Sequence, residues 1–299
     1  MPDTQVTQVA PDRLPEAIRV LVGGDSTAAR AVLSRIEAGR IRLIDAWAVQ
    51  DHAGRIDSVA AAVQNPGRTL GLVISPLALA RHPRDAAAAV AAAAGTDRGD
   101  ADLIQAMFDP GRRAEIACVR EAGFEALATL RFMDRPLEPS VPASASEFAA
   151  GHELVPAESL GREGLCRLLG RTYLETLDCP KLAGRRRLED VLDGHRGTGR
   201  FDPNLWTALR VAGDPVGLAL VNANPEAECL ELVYLGLAPE FRGRGLGSLL
   251  LETAIRNAQH GGLPRLSLAV DEQNRPAIRL YRRHGFVPGT ARIALIRSR

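Results

Sequence analysis

The stretch LELVYLGLAPEFRGRGLGSLLLETAI, residues 230–255, decides the fold of the chain. Its first eight residues are mostly apolar and have the character of a strand, which ends at Pro239. A turn with three glycines follows, and apolar residues then recur at helical spacing until the Gly261-Gly262 pair stops the helix. This order of strand, glycine turn and helix predicts an α/β fold in which helices flank a mixed sheet.

The glycine turn predicts a binding site for an anion. Unpaired backbone amides at the start of a helix point outward together with the positive end of the helix dipole. Gly243, Gly245 and Gly247 carry no side chain that would block a phosphate, and Arg242 and Arg244 add positive charge. A diphosphate held by main-chain amides fits this pattern.

Two nucleotide-binding motifs do not fit the turn. A Walker A loop has a lysine followed by Ser or Thr after its last glycine, whereas Ser248 follows Gly247 directly. A dinucleotide-binding loop has the spacing G-x-G-x-x-G with an acidic residue downstream, whereas the spacing here is R-G-R-G-L-G. The sequence therefore supports neither nucleotide hydrolysis nor a Rossmann fold.

A second informative block is VDEQNRPAIRLYRRHGF, residues 270–286. Asn274 is suited to cap a helix, and Pro276 falls in the first turn, where its missing N–H costs little. Gly285 then ends the helix. Tyr281 lies seven residues after Asn274, two turns further along the same helix face.

Together these two blocks resemble the GCN5-related N-acetyltransferase (GNAT) superfamily. The run Arg242–Gly247 is similar to the family's R/Q-x-x-G-x-G/A diphosphate loop, and residues 270–286 are similar to its closing block, about thirty residues downstream. The resemblance covers about Glu153–Ser298. It implies acetyl-CoA as acetyl donor, an amine of a small molecule or of a protein as acceptor, and no metal.

The resemblance also implies roles for single residues. Tyr281 would donate a hydrogen bond or a proton to the leaving thiolate, since a phenol is protonated at pH 7; a tyrosine packed in the core is the alternative. Glu231 would remove the proton of the amine through water; a solvent-facing strand glutamate is the alternative. Asn274 would contact the pantetheine arm, cap its helix, or do both.

Strand amides near Gly236 would polarise the thioester carbonyl, and Gly236 is expected to mark a β-bulge that frees an amide. The predicted catalytic residues are thus Tyr281 and Glu231. The predicted cofactor-binding set is Leu235, Gly236, Leu237, Arg242, Gly243, Arg244, Gly245, Leu246, Gly247, Ser248 and Asn274.

The chain is also predicted to be a tandem repeat. The segment RPLEPSVPASAS, residues 135–146, has the composition of a linker. Shifted by 160 residues, Leu72, Val73, Leu77 and Ala78 match Leu232, Val233, Leu237 and Ala238. We expect a GNAT-like domain at 1–134, a linker at 135–148 and a catalytic domain at 149–299, similar to tandem family members in which one half keeps the chemistry.

The first half lacks the residues of the predicted site. Its corresponding turn, HPRDAA at residues 82–87, has no glycine, contains Pro83 without an amide, and places the acidic Asp85 where a phosphate would lie. Val119 stands at the tyrosine position and Arg112 at the asparagine position. We therefore expect a degenerate half that shapes the structure or the substrate site.

Composition narrows the class of protein further. The 299 residues include 37 basic and 36 acidic side chains, a net charge of +1 that gives no general attraction to nucleic acid or an anionic membrane. The four cysteines have neither disulfide nor zinc spacing, and no signal peptide is visible, so we expect a cytoplasmic protein. A noncatalytic acyl-CoA sensor or interaction module is the alternative function, and the sequence leaves the oligomeric state open.

Overall fold

The computed structural model describes residues 4–95, 99, 101–138 and 151–298. Within them the same order of elements occurs twice: strand, two helices, three strands, helix, strand, helix, strand. The predicted tandem repeat is confirmed by this order. Gly123 follows the last helix of the first repeat and Gly285 the last helix of the second. Both have a positive φ, +87° and +81°, and a buried phenylalanine follows each, which supports the repeat.

The first repeat contains six strands and four helices. The strands are β1 (Thr4–Gln8), β2 (Leu43–Asp51), β3 (Ile56–Asn65), β4 (Thr69–Ile74), β5 (Leu103–Phe108) and β6 (Glu125–Pro136). The helices are α1 (Leu14–Leu21), α2 (Ser26–Glu37), α3 (Ala86–Gly95) and α4 (Arg113–Glu121).

The second repeat contains the matching set. The strands are β7 (His152–Pro156), β8 (Trp206–Val211), β9 (Asp214–Asn224), β10 (Cys229–Leu237), β11 (Arg265–Asp271) and β12 (Val287–Ser298). The helices are α5 (Gly161–Tyr173), α6 (Leu188–Gly197), α7 (Leu246–Gln259) and α8 (Arg275–Arg283).

The chain forms two compact units, Met1–Leu127 with Arg292–Arg299 and Ala128–Ala291. In the first unit the strand order is β1-β2-β3-β4-β5, with β12 antiparallel to β5 over residues 293–298. In the second unit it is β7-β8-β9-β10-β11-β6, with β6 antiparallel to β11. The last strand of each repeat therefore pairs within the unit built mainly from the other repeat.

The linker predicted at residues 135–148 lies largely outside the described residues. Of its residues, 135–138 are described, and Arg135 and Pro136 belong to β6, where they pair with Leu266 and Arg265 of β11. The predicted domain boundary in this region therefore stays a prediction.

Two apolar layers cover the sheet of the second unit. On one face Leu230 and Leu232 of β10 pack with the apolar sides of α7 and α8. On the other face Trp206 of β8 and Leu218 and Leu220 of β9 pack with α5 and α6. Because side chains alternate along a strand, this layering decides on which face each polar residue of β10 lies.

Candidate active site

A gap opens between the parallel strands β10 and β11 in the second unit. Leu230 pairs with Leu266 and Glu231 with Ser267, but no later residue of β10 pairs with β11, so the ends of the two strands separate. Ala238 donates its amide to the carbonyl of Val216 (2.9 Å), which makes these two a hydrogen-bonded pair of the antiparallel ladder with β9.

The amides that face this gap follow from the alternation of an antiparallel ladder. Leu235 and Leu237 occupy the non-hydrogen-bonded positions opposite β9, so their N–H groups point toward the gap. Two of the strand residues predicted from sequence thus have donors directed into it. Such donors suit a thioester carbonyl whose oxygen gains negative charge during acyl transfer.

The bulge in β10 lies at Val233, between Leu232 and Tyr234, and the expectation that Gly236 marks it was wrong. Gly236 is needed for another reason: a Cβ there would lie 2.8 Å from Cζ of the Tyr234 ring. The bulge changes which face the following residues point to, and Tyr234 packs with the α5–α6 layer.

The predicted diphosphate loop has its amides available. None of the N–H groups of residues 243–247 donates a hydrogen bond to the described part of the chain. Gly243 (φ +73°) and Gly245 (φ +81°) have backbone conformations that favour glycine, and nothing lies within 4 Å of a Cβ built on either. The glycines are therefore required by the turn geometry, and the turn points its amides outward at the start of α7.

The other predicted members of the loop differ in what they offer. The Ser248 amide already donates to the carbonyl of Gly245 (3.0 Å), which leaves its hydroxyl. Arg244 is exposed, with its guanidinium over the Phe241 ring at 5.5 Å from the centroid. Arg242 instead directs its guanidinium to main-chain carbonyls, beginning with that of Leu237 (3.0 Å).

Tyr281 is buried in the layer formed by α7 and α8, where its ring contacts Phe286 (5.7 Å between centroids). Burial raises the pKa of Tyr281, and the nearby Asp178 and Tyr234 raise it further. Among the described residues none hydrogen-bonds its hydroxyl. The phenol is therefore protonated and has a hydrogen to donate to a ligand.

Asn274 caps α8, as the sequence predicts. Its side-chain oxygen accepts a hydrogen bond from the amide of Ala277 (3.3 Å), and proline occupies the first turn. Its side chain also hydrogen-bonds the carboxylate of Asp178. Contact with a pantetheine arm stays a prediction.

Glu231 lies on the face of β10 opposite to Leu230 and Leu232, the side that carries α5 and α6. Burial raises the pKa of Glu231, and a side-chain hydrogen bond with Asn224 lowers it in part. A carboxylate with a raised pKa is a better proton acceptor at neutral pH than an ordinary one. Glu231 and Tyr281 thus lie on opposite faces of the sheet, with Glu231 at the last residue of β10 that pairs with β11.

A polar cluster that the sequence analysis did not assemble lies on the Glu231 side. The Tyr173 hydroxyl contacts His195 Nε2 (3.1 Å), and the Tyr234 ring packs against both side chains at 5.2 Å. Burial lowers the pKa of His195 to about 4, so the imidazole is neutral at pH 7. The cluster therefore joins the end of α5, the end of α6 and β10.

Asn222 holds part of this cluster in place. It is fully buried and lies opposite Glu231 in the ladder. Its side chain donates to the carbonyls of His195 and Thr198 (both 2.6 Å) and accepts from Trp206 Nε1 (2.8 Å). A single asparagine within the apolar run of β9 was the signal in the sequence that could have found it.

The segment after α5 is fastened to the end of β11 by two aspartates. Asp178 accepts a hydrogen bond from the amide of Asp271 (2.8 Å), and Asp271 accepts one from the amide of Cys179 (3.3 Å). Burial raises the pKa of Cys179 to about 12, with Asp178 and Asp271 adding to it. The thiol is therefore not a nucleophile at neutral pH.

Two carboxylates of the first unit bind amides in and near its corresponding turn. Asp57 accepts hydrogen bonds from the amides of Arg81 (2.8 Å) and His82 (2.9 Å), at the turn before α3. Glu115 accepts one from the amide of Leu77 (2.9 Å), the residue that matches Leu237. The Leu77 amide is thus bonded within the protein, whereas the Leu237 amide faces the gap, which supports the expectation of a degenerate half.

The described residues contain no group of three or more His, Cys, Asp or Glu arranged to hold a metal ion. Over the same residues, no helix has the length and apolar character needed to cross a membrane.

Comparison with known proteins finds a family match within the second unit. Residues 171–286 match the model of the acetyltransferase (GNAT) family. Over 91 residues the chain is 38% identical to the mycothiol acetyltransferase of Thermobifida fusca. This match covers 30% of the chain and 26% of that protein, so the chain spans only about a quarter of the relative's length.

Solved structures share the whole architecture. A GCN5-related N-acetyltransferase from Sphaerobacter thermophilus superimposes with a TM-score of 0.63 at 19% identity, covering 100% of this chain and 96% of that one. A tandem GNAT protein from the clavulanic acid biosynthesis pathway does so with a TM-score of 0.54 at 17% identity, covering 99% and 98%. At such identities the likeness concerns the fold. Residues 171–286 thus match the GNAT acetyltransferase family, and the chain is similar in sequence to the mycothiol acetyltransferases and in fold to a tandem GNAT protein.

Proposed function

We propose that the second unit is an acetyl-CoA-dependent N-acetyltransferase that moves the acetyl group to a primary amine within a ternary complex. The observation that carries this proposal is the row of open amides at residues 243–247, next to a gap between β10 and β11 into which Leu235 and Leu237 direct their own amides. The family match over residues 171–286 supports it.

The diphosphate of the cofactor binds at the amides of residues 243–247, at the positive end of the α7 dipole. Arg244 adds an exposed positive charge beside it. The pantetheine arm enters the gap between β10 and β11, and the amides of Leu235 and Leu237 face the thioester carbonyl. In this arrangement the carbonyl carbon of the thioester lies between Glu231 on one face of the sheet and Tyr281 on the other.

Transfer then requires three proton movements. Glu231 takes one proton of the substrate ammonium through water, and the amine nitrogen attacks the carbonyl carbon. As the tetrahedral intermediate collapses, the C–S bond breaks, the thiolate receives a hydrogen bond or a proton from Tyr281, and the nitrogen loses its extra proton to water or to the Tyr281 oxygen. The positions of Glu231 and Tyr281 toward opposite faces of the sheet support a direct transfer without an acetylated enzyme.

The acceptor is a primary amine on a small molecule or a protein. The name of the mycothiol acetyltransferases makes a mycothiol precursor amine the first acceptor to assay. An unbiased panel should accompany it, because the matched stretch covers only part of those relatives.

Two measurements test the proposal. Thermal melting with acetyl-CoA at a hundredfold excess over its dissociation constant should add about 2.7 kcal/mol to the free energy of unfolding. Thiol release should then follow on addition of an accepted amine from the panel. Absence of stabilisation would reject the acetyl-CoA site, whereas binding without thiol release across the panel would favour the sensor hypothesis.

A further inference from the structure

The guanidinium of Arg242, the first residue of the diphosphate loop, is bound to four main-chain carbonyls. Its Nε donates to Leu237 O (3.0 Å) at the end of β10. Its Nη1 donates to Glu175 O (3.0 Å), and its Nη2 to Thr172 O (3.0 Å) and Leu174 O (2.7 Å). Three of these carbonyls belong to the end of α5 and the residues that follow it.

These contacts change the role expected for Arg242. A guanidinium has five N–H donors, and a phosphate engages it best through two parallel bonds. With four donors on carbonyls, Arg242 has too few left for such a pair. Arg244, which is exposed and has no hydrogen bond among the described residues, is the arginine of the loop that is free to meet a phosphate.

The segment Leu174–Cys179 is held at both ends. Arg242 fixes its start to the diphosphate loop. At its other end Asp178 and Cys179 bond to Asp271 of β11, next to the cap of α8. Between these anchors the segment presents two exposed apolar side chains, Leu174 (58% exposed) and Leu177 (52%).

The first unit lacks this contact. His82, which stands at the position of Arg242 in the corresponding turn, makes no side-chain hydrogen bond within the described residues. A cavity near that turn is lined by Arg81, Leu79 and the glycines Gly23 and Gly24 that follow α1. The contact between turn and helix end is therefore present in the second unit and absent from the described part of the first.

We propose that Arg242 is a positioning residue that couples the diphosphate loop to the Leu174–Cys179 segment, so that cofactor binding fixes the acceptor side of the site. The inference rests on the proposed function. The segment that Arg242 holds in place offers its apolar side chains to the acceptor. An acceptor with an apolar group near its amine would bind most tightly, because that group would contact Leu174 and Leu177.

Hydrogen–deuterium exchange with coenzyme A as the probe tests the coupling without an identified acceptor. In the natural protein, coenzyme A should slow exchange in peptides covering residues 243–248 and also in those covering 174–179. In Arg242→Gln, exchange at 174–179 should be about tenfold faster than in the natural protein and insensitive to coenzyme A, because several hydrogen bonds are lost. Exchange in β8 and β9 should be unchanged.

Two further variants complete the test. Arg242→Lys keeps the charge but reaches fewer carbonyls, so its exchange at 174–179 should fall between the other two, which also keeps the test open if the Gln variant does not fold. Arg244→Gln should weaken coenzyme A binding severalfold and leave exchange at 174–179 of the free protein unchanged.

The outcomes separate the two proposals. No protection of residues 243–248 in the natural protein would reject the cofactor site itself. Protection there, with exchange at 174–179 the same in both Arg242 variants as in the natural protein, would overturn the coupling while leaving the proposed function intact.

Discussion

The hydroxyl of Tyr281 is the donor on which departure of the thiolate depends. Tyr281→Phe removes that hydroxyl and keeps the ring that packs against Phe286. We expect turnover to fall by about 10²-fold or more, in the range of general acid–base effects, with little change in the dissociation constant of acetyl-CoA. Steady-state kinetics with an accepted amine, combined with calorimetry, measures both, and unchanged turnover would remove the acid role.

The raised pKa of Glu231 should make the stability of the folded protein depend on pH. Because burial raises its pKa, the ionised carboxylate destabilises the folded state at neutral pH; this penalty decreases as pH falls through the raised pKa and is gone below the unfolded value of about 4.3. Glu231→Gln should therefore melt at a higher temperature than the natural protein at pH 7 and at the same temperature below about pH 4, while losing turnover.

Glu240→Gln is the matched control for this experiment. Glu240 is an exposed partner of Arg171 (2.7 Å), and hydrogen bonding lowers its pKa. The sign is therefore opposite: its ionised form favours the folded state, a contribution present at neutral pH and lost as pH falls through the lowered pKa. A melting difference for Glu231→Gln that does not vary with pH would contradict the assignment of a raised pKa.

At the scale of elements, two substitutions of Gly245 in the loop before α7 distinguish the effect of backbone strain from the effect of charge. Gly245→Ala has room for the Cβ but places an alanine at φ +81°, which costs about 1–2 kcal/mol. Gly245→Asp has the same strain and adds a negative charge beside the phosphate amides. Calorimetry should find acetyl-CoA binding weakened by the Ala variant and abolished by the Asp variant. Equal affinities for the two would mean that no anion binds at these amides.

The sequence was most informative about elements with strong local signals. Helix α7 lies where the sequence predicts it, between the glycine turn and the Gly261-Gly262 pair, because the glycines at both ends and the apolar period all agree. The cap of α8 at Asn274 followed from capping chemistry in the same way. The bulge at Val233 was misplaced because the space taken by the Tyr234 ring, which requires Gly236, is a tertiary contact.

The candidate site was predictable where a residue acts through its own backbone or chemistry. Arg242 was read as a phosphate ligand because its charge is visible in the sequence, whereas its carbonyl partners at 172, 174 and 175 lie some seventy residues away along the chain. The same holds for Asp178 and Asp271, which meet only in the folded unit. Long-range partners of this kind leave no periodic or local pattern.

At the scale of the whole molecule, the two units should differ in cofactor binding. In the first unit Glu115 bonds the amide of Leu77, the residue that matches Leu237, and Pro83 in the corresponding turn has no amide. We expect calorimetry to find one equivalent of acetyl-CoA per chain. His82→Ala and Asp85→Ala should leave its affinity unchanged, and a second equivalent would overturn the expectation of a degenerate half.

The pairing of β6 with β11 makes a prediction about fragments. A fragment of residues 151–299 lacks β6, so β11 loses its antiparallel neighbour over residues 265–271. We expect this fragment to show no cooperative thermal unfolding by circular dichroism, and a peptide of residues 125–138 to restore a transition. Cooperative melting of the fragment alone, at the temperature of the full chain, would contradict this.

The pairing of β12 with β5 also has a consequence for how the protein is made. Strand β5 finds its partner roughly 190 residues later in the chain. At a translation speed of about 5–20 residues per second, a nascent chain therefore carries β5 with an open edge for roughly 10–40 seconds before its partner is synthesised. During that interval the edge is available to neighbouring nascent chains, and chaperones that act at the ribosome should influence the yield of this protein more than that of single-domain relatives.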